Sequence, residues 1–428
     1  MEKSLAYKIT RPFKEFMELE ISGGLVLLFF TVCALCIANS PYKDLYYGVL
    51  ENKLTINLGE RGLSKSLLHW INDGLMTLFF LLVGLEIKRE GIEGELSSFK
   101  RALLPAIAAF GGMLMPALIY ILFNYGTDAA KGWAIPIATD IAFSLGVLRL
   151  VGSGVPLSLK VFLTALAIAD DIGAIVVIAI FYTAELSVYY FILCGMVLAL
   201  LVILNIIGFK HFIPYTILGV ILWFFMLKSG VHATLAGVLL AFTIPHNIKN
   251  KTDHDDTENN TEEEYIKSST LNNTNNNFHI NSHSPLKLIE HTLHPWVTYL
   301  IMPLFAFANS GIPLGIDFIK LLFQSINYGV FFGLLVGKQT GIMLLTWIFV
   351  RLNIAELPKG LSWLYLYGAG WVAGIGFTMS IFIDMLSFSQ SEVQITSKPA
   401  IFLASLLSGI GGWFVLRYAI KVENRVEV

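Results

Sequence analysis

The sequence predicts an all-α, polytopic membrane protein with about twelve transmembrane helices. Its 428 residues are 55% hydrophobic and only 14% charged, whereas a soluble domain carries about 25% charged residues. Apolar runs long enough to span a bilayer recur from one end of the chain to the other. One such run, residues 159–182, places two adjacent carboxylates near its centre. The net charge of −2 gives no indication of a nucleic-acid partner.

The apolar runs divide the chain into two groups of predicted helices. Before residue 247 we place eight helices, at about 19–39, 69–88, 102–124, 133–150, 159–182, 187–208, 212–227 and 230–245. After residue 285 we place four, at about 291–312, 326–350, 363–384 and 397–419. The first helix follows a basic interfacial segment, residues 1–18, and a weak β-hairpin at about 45–58 precedes the second.

The charge distribution orients this chain in the membrane. With the N-terminus inside, Lys and Arg concentrate in the inner segments, so both termini, including the tail at 421–428, are predicted to be cytoplasmic and the hairpin periplasmic. Residues 247–285 are polar, rich in Asn and nearly without apolar side chains. We expect them to form a disordered cytoplasmic loop, because they cannot bury a core.

The two carboxylates of predicted helix 5 are Asp170 and Asp171. A carboxylate at the bilayer centre costs at least about 2.5–3.5 kcal/mol on insertion scales, and two neighbours also repel each other. Such a pair usually binds a cation or carries protons.

Predicted helix 10 carries a lysine near its middle. Gly329, Gly333, Gly337 and Gly341 recur at every fourth residue, which gives a smooth face for close packing, and Lys338 follows the third of them. Because a buried ammonium needs a counter-charge, we expect it to pair with the aspartates. The alternative is that the lysine snorkels to an interface.

Predicted helices 4 and 11 are both interrupted. Helix 4 contains Pro136 and then Thr139-Asp140, and helix 11 contains Gly368, Gly370, Gly374 and Gly376. Paired interruptions in corresponding halves indicate two discontinuous, crossing helices of an inverted-repeat transporter. Asp140 would then offset the N-terminal helix ends and Lys338 the carbonyl ends. Close packing alone would also account for the glycines.

A third set of ionisable residues lies at the predicted cytoplasmic edge. It consists of Glu86, Lys88, Arg89 and Glu90 after helix 2, and Glu290, His291 and His294 at the start of helix 9. Histidine titrates near neutral pH, but a charged belt at the membrane edge explains the same composition. His232 is expected to be a buried residue at a helix start rather than a ligand.

Seven motifs resemble those of the NhaA-type sodium/proton antiporters of bacterial inner membranes, over about residues 13–417. They are NDGLMTLFFLLVGLEIKRE (72–90), GWAIPIATDIAFSLGVL (132–148), TALAIADDIGAI (164–175), LKSGVHATLAGV (227–238), EHTLHPWVTYLIMPLFAFANSG (290–311), GLLVGKQTGI (333–342) and GIGFTMSIFI (374–383). The resemblance implies that Asp170 and Asp171 bind the cation and protons, that Thr139-Asp140 breaks helix 4 and that Lys338 partners Asp170.

The same resemblance assigns roles outside the central site. Asp73 corresponds to an acidic residue of the outward part of helix 2. A pH-sensing group is implied at Glu86, Arg89, Glu290, His291 and His294, with His232 also tied to pH response. The hairpin resembles a homodimer contact, whereas the long 247–285 loop departs from the family pattern.

We therefore expect a pH-regulated secondary transporter that exports Na⁺ or Li⁺ in exchange for H⁺, with no cofactor. Cation and protons would compete for the aspartate pair, and the site would change sides only when neutralised. Two rival functions remain open at this point. One is a passive cation channel, and the other is an intramembrane aspartyl or metal-dependent enzyme, in which Lys338 would have no role.

Overall fold

The computed structural model describes residues 22–58, 61–152, 154–183, 186–209, 211–246, 284–315, 320–388 and 391–426. The predicted interfacial segment 1–18 and nearly all of the predicted loop 247–285 lie outside this range. The predicted tail lies partly inside it, because the last helix continues to Val426.

The described chain is almost entirely helical. The first half contains α1 Ser22–Ala38, α2 Lys43–Glu51, a β-hairpin (β1 Lys53–Leu58, β2 Arg61–Ser66), α3 Leu67–Ile92, α4 Phe99–Asn124, a 3₁₀ helix Asp128–Ile137, α5 Ile141–Val151, α6 Leu157–Phe181, α7 Val188–Ile206, α8 Phe212–Ser229 and α9 Leu235–Thr243. The second half contains α10 at 285–309, α11 Ser325–Arg351, α12 Trp363–Ala373, α13 Phe377–Ser387 and α14 Ser391–Val426.

Seven helices of the described chain are long and apolar enough to cross a membrane, or ten if each bent pair counts as one span. These numbers establish a polytopic helical membrane protein. The count of twelve spans stays a prediction. Predicted helix 8, for example, corresponds to the nine-residue α9, which is preceded by turns.

The predicted hairpin at 45–58 is wrong in its first half. Residues 43–51 form helix α2, and the strand pairing is displaced to 53–66, where Lys53 faces Ser66 in antiparallel register. Tyr46 and Leu50, four residues apart, are both buried, and the Tyr46 hydroxyl donates to the carbonyl of Phe307 at 2.5 Å. Packing of this helical face against α10 therefore overrides the strand preference of the Tyr and Val residues.

The glycine face of α11 lies directly against α4. A Cβ atom placed on Gly341 would come within 2.0 Å of the carbonyl oxygen of Gly111, and one on Gly337 within 2.8 Å of Pro116. Only glycine permits this backbone approach. A π-helical turn, Gly333–Gly337, immediately precedes Lys338, and the side chain of Lys338 is fully buried inside the protein.

Three pairs of helical segments in the described chain are bent at short breaks: α1 with α2, by 113°, and two pairs deeper in the fold. The axes bend by 42° between the 3₁₀ helix and α5, across residues 138–140, and by 48° between α12 and α13, across residues 374–376. The two breaks are in contact, because the Asp140 amide donates to the carbonyl of Ile375 at 2.7 Å.

Candidate ion site

A buried ion pair lies beside the first break. Lys338 of α11 and Asp170 of α6 approach to 2.6 Å between Nζ and Oδ2, and each side chain is 1% exposed. The Lys338 ammonium also donates to the carbonyl of Ile137, at the C-terminal end of the 3₁₀ helix. The lysine therefore contacts Asp170 rather than snorkelling, and it also donates to a carbonyl at a helix end.

Asp140 binds the N-terminal ends of two helices at once. Its Oδ1 accepts from the amide of Phe143 at 3.2 Å, which caps α5. Its Oδ2 accepts from the amide of Thr378 at 3.1 Å and from the Thr378 hydroxyl, in the first turn of α13. One carboxylate thus offsets two positive helix ends that meet inside the protein.

Hydroxyl groups bind the opposite, carbonyl end of the second break. Thr139 donates to the carbonyl of Ala373 at 2.9 Å, and Ser144 donates to the carbonyl of Val372 at 3.0 Å. The bond to Ala373 supplies a donor to a carbonyl at the end of α12, and the bond from Ser144 adds a second donor to Val372, whose carbonyl also accepts from the Ile375 amide at 3.1 Å. Both breaks are therefore held together by side chains of the residues between and just after them.

Asp171 differs from its neighbour in its partners. Asp170 is neutralised by Lys338, whereas the Asp171 side chain makes no hydrogen bond within the described part of the chain and is 3% exposed. It interacts electrostatically with three groups of the same charge, Asp170, Asp140 and Glu86, and more weakly with the opposite charge of Lys338. Asp171 is therefore a buried carboxylate without a direct ion-pair partner in the described chain.

The chemistry of this centre suits a hard monovalent cation. The available donors are the free Oδ1 of Asp170, the Asp171 carboxylate and the hydroxyl of Thr139, which lies beside Asp170. Oxygen ligands of this kind prefer cations such as Na⁺ or Li⁺ to soft transition metals.

Comparison with known proteins assigns the chain to a family. The model of the Na⁺/H⁺ antiporter 1 family matches residues 14–416, which is nearly the whole chain. The chain belongs to this family. It is therefore a transporter rather than an enzyme, which removes one of the two rivals.

Relatives of this Na⁺/H⁺ antiporter family member are matched over almost their full lengths. The Na(+)/H(+) antiporter NhaA of Oleidesulfovibrio alaskensis is 46% identical over 428 residues, covering 97% of this chain and 95% of the relative. That of Pelagibacter ubique is 48% identical over 416 residues, covering 96% and 99%. The Na(+)/H(+) antiporter NhaA 2 of Clostridium beijerinckii is 45% identical over 419 residues, covering 98% and 97%.

The predicted cytoplasmic cluster of the antiporter is only partly assembled. Arg89 of α3 binds Glu290 of α10 at 2.9 Å and its own neighbour Glu90 at 2.9 Å. Glu86, one turn deeper, interacts electrostatically with Glu290 and with Asp171. The cluster is thus electrically linked to the central site. His291 and His294 are exposed, and His294 interacts electrostatically with Glu290.

Asp73 and His232 lie at the other end of α3 from this cluster. Asp73 is about 20 Å along the helix from Glu86 and binds His69 at 2.8 Å. His232 contacts the carbonyl of Tyr182 at 2.5 Å and interacts electrostatically with Asp73. The structure therefore separates His232 from the residues with which the resemblance groups it.

Sequence reasoning missed several polar residues. Thr378 lies in the motif GIGFTMSIFI (374–383) and was assigned no role, although its amide and hydroxyl donate to Asp140. A second group joins the two ends of the predicted loop: Glu93 binds His246 at 3.0 Å and Lys287 at 2.6 Å, and His246 also contacts Ser284 at 3.1 Å. The hydrogen bond from Lys287 lowers the pKa of the Glu93 carboxyl. A search for ionisable residues flanking the loop would have found this group.

Proposed function

We propose that this protein exports Na⁺ or Li⁺ in exchange for H⁺, by competition of the cation and protons for Asp170 and Asp171. Family membership supports Na⁺/H⁺ exchange, since relatives matched over nearly the whole chain bear that name. The observation that carries the mechanism is the buried Asp171, which has like charges around it and no ion-pair partner of its own in the described chain.

The proposed competition follows from the cost of burying charge. An unpaired carboxylate inside a membrane protein is expensive, so Asp171 requires neutralisation by either a proton or a cation. Both ligands bind the same oxygens, so the binding of one displaces the other. If only a neutralised site changes sides, each cation leaving must be replaced by protons entering, which makes the exchange obligatory.

The two crossing breaks supply the element that moves. Side-chain hydrogen bonds, such as that from Thr139 to Ala373, hold each break where the helical hydrogen bonds are interrupted. Lys338 donates to the carbonyl of Ile137 at the end of the 3₁₀ helix, so a change in its pairing with Asp170 acts directly on that helix end. We propose that the broken segments are discontinuous membrane helices, and that alternating access is a rearrangement around Asp140.

We propose pH regulation through the cluster of Glu86, Arg89 and Glu290. The like-charge interaction between Glu86 and Asp171 couples the protonation of Glu86 to the charge at the central site. His291 and His294 are placed to add charge on the same helix as Glu290. We further propose a bacterial inner-membrane location, cytoplasmic termini, contact with membrane lipid and a homodimer formed through the hairpin at 53–66.

Everted membrane vesicles test this function. A proton gradient is formed and reported by a dye, and Na⁺ or Li⁺ is then added. If the protein is an exchanger, adding Na⁺ or Li⁺ collapses the gradient. Choline, the control cation, has no effect. A current that follows Na⁺ passively and ignores the proton gradient would identify a channel instead.

A further inference from the structure

A second carboxylate is buried inside the protein and is not used by the proposed exchange site. Asp384 lies in the last turn of α13 and is 0% exposed. Its Oδ1 accepts from the hydroxyl of Ser397 on α14 at 2.6 Å. Its Oδ2 is buried without a hydrogen-bond partner. In the described part of the chain, the only other carboxylate oxygen that is fully enclosed and unbonded is Oδ1 of Asp170, next to Asp171 of the proposed exchange site.

The charges near Asp384 resemble those near Asp170, although no direct ion pair joins Asp384 to its lysine in the described chain. That lysine, Lys398 of α14, interacts electrostatically with Asp384, as Lys338 does with Asp170. The other ionisable groups that face it are Tyr120 of α4 and Tyr182, which follows α6. An ionisable group buried inside a membrane protein is costly, and an unbonded oxygen on it calls for an explanation such as a role in moving charge.

Asp384 lies between the hairpin side of the protein and the crossing of the two breaks. α3 and α4 are both long and apolar enough to span the membrane, so the end of α4 returns to the side of the hairpin that precedes α3. Tyr120, near that end of α4, interacts electrostatically with Asp384, which places Asp384 towards the hairpin side. Ser380, one turn nearer the crossing and on the same helical face, donates to the carbonyl of Ile135 in the 3₁₀ helix at 2.8 Å. Thr378 then binds Asp140, about 9 Å along the helix from Asp384.

We propose that Asp384 is a second proton-exchanging carboxylate, which passes protons between the hairpin side of the membrane and the crossing at Asp140. This proposal rests on the proposed Na⁺/H⁺ exchange. Ser397 can donate to Oδ1 in both protonation states, while the free Oδ2 gains and loses the proton. Only O–H bonds form and break, and Lys398 supplies the counter-charge when the carboxylate is ionised.

The competing interpretation is that Asp384 and Lys398 merely join α13 to α14. A structural pair keeps one protonation state throughout the working pH range, whereas a relay must change state. Infrared difference spectroscopy of the purified protein between acidic and alkaline buffer distinguishes the two, because a protonated carboxyl has its own C=O stretching band. We expect a pH-dependent band that is lost in Asp384→Asn.

Two further variants keep this test conclusive. Asp128→Asn removes an exposed carboxylate on the same side and should retain the band. Asp384→Asn alone leaves Lys398 without its counter-charge and can therefore impair folding. Combining it with Lys398→Met removes both charges and avoids this effect, and the double variant should also lack the band. A difference spectrum identical to wild type in both Asp384 variants would overturn the proposal.

Transport completes the test. In oriented proteoliposomes, Asp384→Asn should slow proton entry from the hairpin side by about tenfold or more, since a placed proton-transfer group typically contributes on the order of 100-fold. The apparent Na⁺ constant measured from the opposite side should stay at the wild-type value. Unchanged proton entry with normal exchange would refute the relay alone, whereas absent exchange in the wild type would refute the proposed function itself.

Discussion

Replacing Lys338 by Ala should destabilise the protein and impair exchange, because it strands the carboxylate of Asp170. The pair is 1% exposed on each side and 2.6 Å apart, and the second oxygen of Asp170 already lacks a partner. Removing one member of such a buried pair costs roughly 3–5 kcal/mol. The carbonyl of Ile137 also loses its charged donor.

The magnitude of this loss should depend on pH. The stranded carboxylate escapes part of the cost by binding a proton, and the free energy of holding that proton rises by about 1.4 kcal/mol per pH unit. The loss of unfolding free energy should therefore be small in acid and grow towards alkaline pH, up to roughly 3–5 kcal/mol. The difference in melting temperature between wild type and Lys338→Ala, measured in detergent, should widen in the same direction.

A double variant provides the matched control. Combining Lys338→Ala with Asp170→Asn removes both charges, and it should recover most of the lost stability at alkaline pH without restoring exchange. An unchanged melting temperature in Lys338→Ala at every pH, or a double variant no more stable than the single one, would refute the energetic account of this pair.

Three further outcomes are expected. Asp171→Asn should abolish exchange and leave the protein folded, or slightly more stable, because it removes a buried charge; Na⁺/H⁺ exchange at the wild-type rate would contradict the site. Deleting residues 250–282 should preserve insertion and transport, because His246 and Ser284 already lie 3.1 Å apart; loss of insertion, checked by membrane fractionation, would contradict this. Lys287 lowers the pKa of Glu93, so their pair contributes stability above the carboxyl's unfolded pKa and loses it as the pH falls through the folded value. Glu93→Gln should thus be less stable than wild type near neutral pH, by under about 1 kcal/mol for this half-exposed pair, and the two should converge in acid; a constant difference in thermal unfolding would argue against it.

The contact between Lys338 and Asp170 was predictable because membrane burial makes charge expensive. Asp170 and Lys338 stand in apolar runs, so each needed a partner, and the structure places them together. Pro136, Gly374 and Gly376 lie at or beside the two breaks, whereas Gly368 and Gly370 lie within α12, where they pack closely against other residues. The sequence could not show that Asp140 binds Thr378, because that contact joins residues 238 positions apart across two breaks.

Other features were missed for identifiable reasons. Asp384 satisfied the same criterion as Asp170, but we placed it at the end of a predicted span, where a carboxylate is ordinarily solvated. The strand β2, RGLSKS, has little strand-forming composition, so pairing was assigned to the preceding Tyr- and Val-containing segment instead. That segment is a helix because Tyr46 and Leu50 pack against the protein.

The most direct test of the account is the pH dependence of the apparent Na⁺ constant in proteoliposomes. If Na⁺ and protons share Asp170 and Asp171, the apparent Na⁺ constant should increase as the pH falls. Well below the range in which the coupled pair loses its protons, the increase should be about tenfold, or about 1.4 kcal/mol, for each unit by which the pH is lowered. The maximal rate at saturating Na⁺ should change much less. If it collapses in acid in wild type but not when His291 and His294 are replaced, the cytoplasmic cluster is a separate gate. A Na⁺ constant that does not change with pH would contradict the shared site.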